Sequence, residues 1–209
     1  MISELVDLYD DEYRVIGAIE RDKAHTTGAL HKTMHCWYVD DRFVYFQIRS
    51  SNVGFPGLLD VTAGGHVGRG EDGMTALLRE AKEEIGVELP SSGMHQIGRN
   101  QFTFRNEGTW VREFSEVYML PALAGFDTFS PNSNELSGIA AIPFREGKEV
   151  VIGARHSLSV QALLVEQGMR KKEIRTITKE SFVPSILDYF CKILEIGELF
   201  ANGDRDISL

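Results

Sequence analysis

The apolar and polar positions change rhythm several times along the chain, and each change predicts an element. Between His35 and Arg49, two runs rich in aromatic and β-branched residues flank Asp40-Asp41, which predicts a β-hairpin. Residues 51–70 carry glycines, turn residues and Pro56, so a long loop around a short strand at Leu58–Thr62 is expected. From 72 to 86 the apolar positions Met74, Leu77, Leu78, Ala81 and Ile85 recur at helical spacing, with Asp72 as N-cap and Gly86 as stop. Residues 96–105 and 112–120 read as strands around a turn at Asn106-Glu107-Gly108, and Ser137–Ile142 reads as another strand ending at Pro143. The remainder reads as helical. Leu158–Gln167 stops at Gly168, and Phe182–Phe200 carries Phe182, Ile186, Phe190, Ile193 and Leu194 on one stripe, with Pro184 in the first turn. The first 33 residues are polar, and the final NGDRDISL is expected to fray. Strands around one central helix, followed by C-terminal helices, predict an α/β (α+β) sandwich. The whole of 1–209 is expected to form one domain, with its core at about 12–145 and a helical extension at about 155–200.

Composition narrows the class. The chain has 209 residues, 43% hydrophobic and 25% charged, as folded globular proteins do. No apolar run approaches the roughly 20 residues of a membrane span, and the acidic start MISELVDLYDDEY lacks the pattern of a signal peptide. Cys36 and Cys191 lie far apart in apolar surroundings, which fits a reducing, cytoplasmic setting. A net charge of −9 argues against a broad nucleic-acid surface. It also means that a phosphate-bearing substrate needs local cations or metal ions to offset repulsion.

The chemistry concentrates in GHVGRGEDGMTALLREAKEEIGV, Gly65 to Val87. On a helix, Glu80, Glu83 and Glu84 fall within an arc of about 100°, beside the core-facing stripe. Carboxylates so close repel one another, and magnesium or manganese is a hard cation suited to offset that. Taken alone, such a cluster also fits a solvated acidic face. Glu71 before the helix and Arg79 within it can pair and tie loop to helix.

Gly65, five residues, Glu71, seven residues, then Arg79-Glu80-Ala81-Lys82-Glu83-Glu84-Ile85-Gly86-Val87 resembles the Nudix box of the Nudix hydrolase superfamily. Every fixed position matches; Ala81 is a small member of the aliphatic class. The resemblance implies a Nudix fold, a mixed sheet between helices with the box as loop–helix–loop. It implies Mg2+ or Mn2+ held by Glu80, Glu83 and Glu84 with a backbone carbonyl at Gly65 or its neighbour. It also implies hydrolysis of a diphosphate linkage in a small metabolite, such as a nucleoside diphosphate derivative. Glu84, Glu83 or a carboxylate from elsewhere would take the proton of the attacking water.

AHTTGALHKTMHCWYV (24–39), QIRSSN (47–52), FPGLLDVTAGGH (55–66) and REFSEVYML (112–120) resemble the branch related to isopentenyl-diphosphate isomerase. That resemblance spans about residues 12–142 and implies a second metal site at His25, His31 and His66, with Glu113 from the later strand. Singly, each histidine also fits a hydrogen-bonded loop or buried residue. Glu113 is a candidate fourth carboxylate or general base, whereas Glu116 is expected on the opposite strand face, toward solvent. The isomerase's catalytic cysteine has no counterpart here: its place is Gly64, and Cys36 does not match it. The hydrolase is therefore preferred to the isomerase or to a non-catalytic ligand sensor on the same fold.

Other features have structural readings. Phe55-Pro56-Gly57 and Asp60 shape the loop, Trp37 and Tyr38 fit a core, and Arg170-Lys171-Lys172 with Arg175 fits a solvated helix end or loop. The expected partner is a small diphosphate substrate, not a nucleic-acid polymer or a membrane. The apolar C-terminal stripe is compatible with packing on the domain or in a homodimer.

Overall fold

The computed structural model describes residues 4–88, 93–106, 108–166 and 168–209. In chain order it runs β1 (Leu5–Tyr9), β2 (Val15–Glu20), α1 (Arg21–Thr27), β3 (His31–Val39), β4 (Phe43–Arg49), β5 (Leu59–Asp60), β6 (Ala63–His66) and α2 (Gly73–Ile85). Then come β7 (His95–Asn106), β8 (Thr109–Pro121), β9 (Leu136–Pro143), α3 (Phe144–Val151), β10 (Leu158–Glu166), β11 (Met169–Ile177) and α4 (Leu187–Ala201). β1 and β2 make a two-stranded hairpin; the other nine strands form one mixed sheet ordered β11-β10-β9-β4-β3-β8-β7, with β5 on β4 and β6 on β3. β3 and β8 run parallel; the other pairs are antiparallel.

The expected hairpin is β3–β4. Asp40 closes it by accepting the N–H groups of Arg42 and Phe43, both at 2.8 Å. Side chains then alternate between two apolar layers, as the period of two requires. Trp37, Val39, Val44, Phe46 and Ile48 pack with Phe190, Ile193 and Leu194 of α4. Met34, Cys36, Tyr38 and Tyr45 pack with Leu77, Ala81 and Ile85 of α2. Each fully buried large side chain contributes about 1.5–3 kcal/mol. The sheet thus lies between helices, as expected.

β3 and β4 pair directly at Tyr38↔Tyr45 and Val39↔Val44. Beyond that point they diverge, β3 taking β6 as its partner and β4 taking β5. Thr62 sits buried in the fork; its hydroxyl donates to Tyr45 C=O and accepts the Tyr38 N–H. This divergence opens the space that the site occupies.

Several expectations change. Leu158–Gln167 is not a helix: Leu158–Glu166 is strand β10, and Gln167 lies outside the described residues, as does Glu107 of the predicted turn. Val160 and Ala162 face the α4 layer while Leu163 faces the other, a period of two that the free edge of β9 selects over local helical spacing. The C-terminal extension is therefore a hairpin followed by one helix. That helix begins at Leu187 rather than Phe182, after a 3-10 turn over Pro184–Ile186. The basic run lies on strand β11, not a helix end or loop; Arg170 donates to Phe129 C=O, and Lys172 lies 3.6 Å from Asp127. The polar first segment forms β1, β2 and α1. The C-terminal tail docks rather than fraying: Ile207 is buried, and Leu209 N–H donates to Ile97 C=O at 2.8 Å.

Candidate metal centre and cleft

A cleft of about 670 Å³ opens where β3 and β4 diverge. Glu80 and Glu84 of α2, Glu113 of β8 and His66 of β6 line it together.

The helix of the box is set by local chemistry. Asp72 accepts the Thr75 N–H at 2.7 Å, and Gly86 ends the helix at φ 65°. Arg79 ties the preceding loop to it, donating to Glu71 Oε2 at 3.1 Å and to His66 C=O at 3.1 Å. Glu71 also accepts Gly68 N–H at 2.8 Å. Burial acts to raise the Glu71 pKa, but the bonds from Arg79 and Gly68 hold it below the usual carboxylate range.

β6 carries the site in three consecutive residues. Gly64 N–H donates to Glu84 Oε2 at 3.0 Å. A Cβ on Gly65 would lie 2.2 Å from the Glu80 carboxyl carbon, so only glycine leaves room for that carboxylate. His66 joins His25, His31 and Glu113, whose candidate ligand atoms all lie within 4.8 Å of one another. The helix thus presents Glu80 and Glu84 to the cleft. Glu83 is 57% exposed, 3.5 Å from Arg79, and is not among the cleft-lining residues.

The histidine cluster has an unfilled chemical demand. His31 Nδ1 donates to Ala29 C=O at 2.9 Å, so in the neutral ring Nε2 is an acceptor. It faces Glu113 Oε1, another acceptor, at 3.4 Å. Among the described residues, His31 Nε2 and His25 Nδ1 are buried without a hydrogen-bond partner. His25 and His66 approach through their Nε2 atoms at 3.0 Å. A cation among these atoms satisfies all four, and three imidazoles with one carboxylate suit a divalent transition metal.

Electrostatics separate the carboxylates. Burial pushes Glu84 up to about 8 and also raises Glu80. Burial acts to raise Glu113 too, but hydrogen bonding from His31 and positive charge on His66, His31 and His25, where these rings are protonated, outweigh it and hold the carboxyl well below the usual range. Burial depresses His66 to about 3 and His35 to about 4, keeping these rings neutral near pH 7.

Glu116 does point to the opposite strand face, but it is not solvent-facing. It pairs with Lys32 at 2.7 Å, and a Cβ on Gly73 at the start of α2 would lie 2.1 Å from its Oε2. Asp60 pairs with Arg49 at 2.5 Å, and both line the cleft. Cys36 is buried in the α2 layer, where burial raises its thiol pKa. Sequence reasoning missed the cleft's cations Arg21 and Arg49, the acid Glu135 and the floor residues Thr33 and His35. None sits in the box; only sheet register and loop path bring them to it.

The NUDIX domain family profile matches residues 30–159, more than half of the chain. An uncharacterized Nudix hydrolase of Clostridium acetobutylicum is 29% identical over 203 residues, covering 93% of this chain and 97% of its own. The isopentenyl-diphosphate Delta-isomerase of Klebsiella pneumoniae is 27% identical over 180 residues, covering 78% and 96%. A crystal structure from Deinococcus radiodurans has a TM-score of 0.58 at 28% identity, covering 72% of this chain and 90% of that one. With the fold and the box assembled as described, the chain belongs to the Nudix family.

Proposed function

We propose that this Nudix protein is a divalent-metal-dependent hydrolase of a diphosphate linkage in a small metabolite, of nucleoside-diphosphate type or related to it. The observation that carries this reading is β6: Gly64, Gly65 and His66 bring Glu84, Glu80 and the histidine cluster onto one cleft. The residues fit bound cations, because buried imidazole nitrogens lack partners among the described residues and Gly65 leaves space for Glu80. Glu80 and Glu84, with a backbone carbonyl at Gly65, would hold Mg2+ or Mn2+, and Glu83, on Arg79 and outside the cleft lining, would join them only by leaving that pair; His25, His31, His66 and Glu113 would hold a second ion. Such ions, when bound, neutralise diphosphate charge and make a bound water more acidic.

The chain's own residues account for the rest. Arg21 and Arg49 line the cleft and offset an incoming diphosphate. A carboxylate oxygen of Glu84 or Glu113, both of which line the cleft, accepts the water's proton. Glu71 and Arg79 hold the box loop on its helix. Residues 1–209 act as one domain in this reading: Val183 and Ile186, just before α4, wall the cleft beside the Nudix core.

Two readings compete. For an isopentenyl-diphosphate isomerase, the place of the proton-carrying cysteine is Gly64, which offers only a backbone N–H already given to Glu84. For a non-catalytic sensor, the retained glutamates in the cleft are unexplained. The test is phosphate release, with magnesium or manganese, across nucleotides, nucleotide sugars, dinucleotides, and thiamine and isoprenoid diphosphates. Metal-dependent release from a member of the panel is expected. Migration of the double bond of isopentenyl diphosphate without phosphate release would overturn the hydrolase.

A further inference from the structure

A chain of hydrogen bonds runs beneath the cleft from buried tryptophan to the cleft floor. Trp37 Nε1 lies 2.8 Å from Tyr189 Oη, His35 Nδ1 lies 2.9 Å from the same oxygen, and His35 Nε2 lies 3.3 Å from Ser115 Oγ. Ser115 Oγ in turn lies 2.5 Å from Thr33 Oγ1. Thr33 and His35 line the cleft, and Thr33, Ser115, Trp37 and Tyr189 are buried.

The chain has one self-consistent direction. An indole N–H can only donate, so Tyr189 Oη accepts from Trp37. The Tyr189 proton then has His35 Nδ1 as its acceptor, which leaves the proton of the neutral ring on Nε2. Nε2–H donates to Ser115 Oγ. Ser115 is fully buried and keeps its own proton satisfied by donating to Thr33 Oγ1. Thr33 is thereby an acceptor within the chain, and its own O–H is left for the cleft. Every direction leaves one hydroxyl proton without an acceptor among the described residues; here it is on Thr33, which lines the cleft, whereas reversing a link strands it on Ser115 or Tyr189, which do not.

Register says what that proton meets. Thr33 and Ser115 are partners on the parallel β3–β8 ladder, one pleat beyond His31 and Glu113 on the same face, and Thr33 lies opposite His66. We infer that Thr33 is a specificity-determining hydrogen-bond donor to an anionic oxygen of a diphosphate bound beside the histidine cluster. Trp37, Tyr189, His35 and Ser115 are its positioning residues. The inference rests on the diphosphate reading above and adds a contact outside the box.

The experiment uses inorganic pyrophosphate as probe, titrated calorimetrically into the full chain with manganese, alongside long-range 1H–15N NMR of the histidine rings. Wild type is expected to bind pyrophosphate and to show His35 as the Nε2–H tautomer. Thr33→Val is expected to weaken binding by about 10-fold or more, the loss of one hydrogen bond to a charged group. Thr33→Ser, which keeps the donor, is expected to restore it. Tyr189→Phe is expected to shift the His35 tautomer equilibrium and, with Thr33 intact, to weaken pyrophosphate binding; a shifted tautomer with wild-type affinity would overturn the positioning role. An Nδ1–H tautomer in wild type, equal affinity in Thr33→Val, or no pyrophosphate binding by wild type would each overturn the inference. Should Thr33→Val fail to fold, Thr33→Ala and the pyrophosphate affinity of Tyr189→Phe decide it: wild-type affinity in either would overturn the inference. A wild type that binds pyrophosphate in this pattern yet hydrolyses no diphosphate would refute the hydrolase alone.

Discussion

Gly64 donates its backbone N–H to the Glu84 carboxylate at 3.0 Å, so strand β6 and helix α2 are joined at the point where the cleft begins. The bond holds Glu84 facing the cleft.

Replacing Glu84 by Gln keeps an acceptor for Gly64 and removes the ionisable oxygen. Turnover on the substrate found in the phosphate-release screen is expected to fall by about 100-fold or more, with an unchanged thermal midpoint. Retained turnover would count against a role for Glu84 in metal binding or proton transfer.

Gly65→Ala tests the cradle for Glu80. The added methyl would lie 2.2 Å from the carboxyl carbon, so the side chain must leave its place. Manganese affinity, measured calorimetrically, is expected to drop by about 10–100-fold while circular dichroism stays native. Wild-type affinity would mean that Glu80 binds no ion from this position.

The histidine cluster predicts metal-linked stability. Manganese or zinc at 100 times its dissociation constant is expected to stabilise the protein by about 2.7 kcal/mol, raising the midpoint by about 5–10 °C. His31→Ala and Glu113→Gln are expected to abolish the part of that shift that survives in Glu80→Gln. A full shift in His31→Ala would place the responsible ion elsewhere.

His35 predicts an acid-side loss of stability. Its folded pKa, about 4, lies below the ordinary 6.5 because burial disfavours the charged ring. Between these values the unfolded chain binds the proton that the folded one refuses. Stability is therefore full above about pH 6.5 and declines as pH falls toward 4, by up to about 1.4 kcal/mol per pH unit for this one group. Burial also depresses His66, which acts in the same direction. Urea unfolding across pH 4–7 should show a shallower decline in His35→Gln; an identical slope would refute the assignment.

Gly28 predicts how α1 is held. It ends that helix at φ 69°, and a Cβ there would lie 2.3 Å from the Trp110 ring of β8. Gly28→Ala is expected to cost about 1–3 kcal/mol in urea unfolding and to weaken metal binding, since His25 rides on α1. Trp110→Ala in the same background should recover part of the loss; no recovery would leave strain in φ as the whole cause.

Much of this was legible in one dimension, though unevenly. The box helix, its caps, the Glu71–Arg79 tie and the β3–β4 hairpin follow from local spacing and capping chemistry, which neighbours along the chain decide. β10 was misread because apolar residues at 158, 160, 162 and 163–165 satisfy helical and strand periods alike, and the free edge of β9 breaks the tie. β1 and β2 were missed because their exposed strands carry little burial pattern.

The sequence by itself determined which donors exist and that Glu80, Glu83 and Glu84 share one helix arc, because 3.6 residues per turn is a property of the backbone. Only the tertiary structure decided that Glu83 turns to solvent while Glu84 is half-buried and lines the cleft, and that His25, His31, His66 and Glu113 meet. It alone linked Trp37 to Thr33 through a helix more than 150 residues away. The physical reason is that helix spacing is set within a turn or two, whereas ligand clusters and burial depend on strand register and packing between segments far apart in the chain.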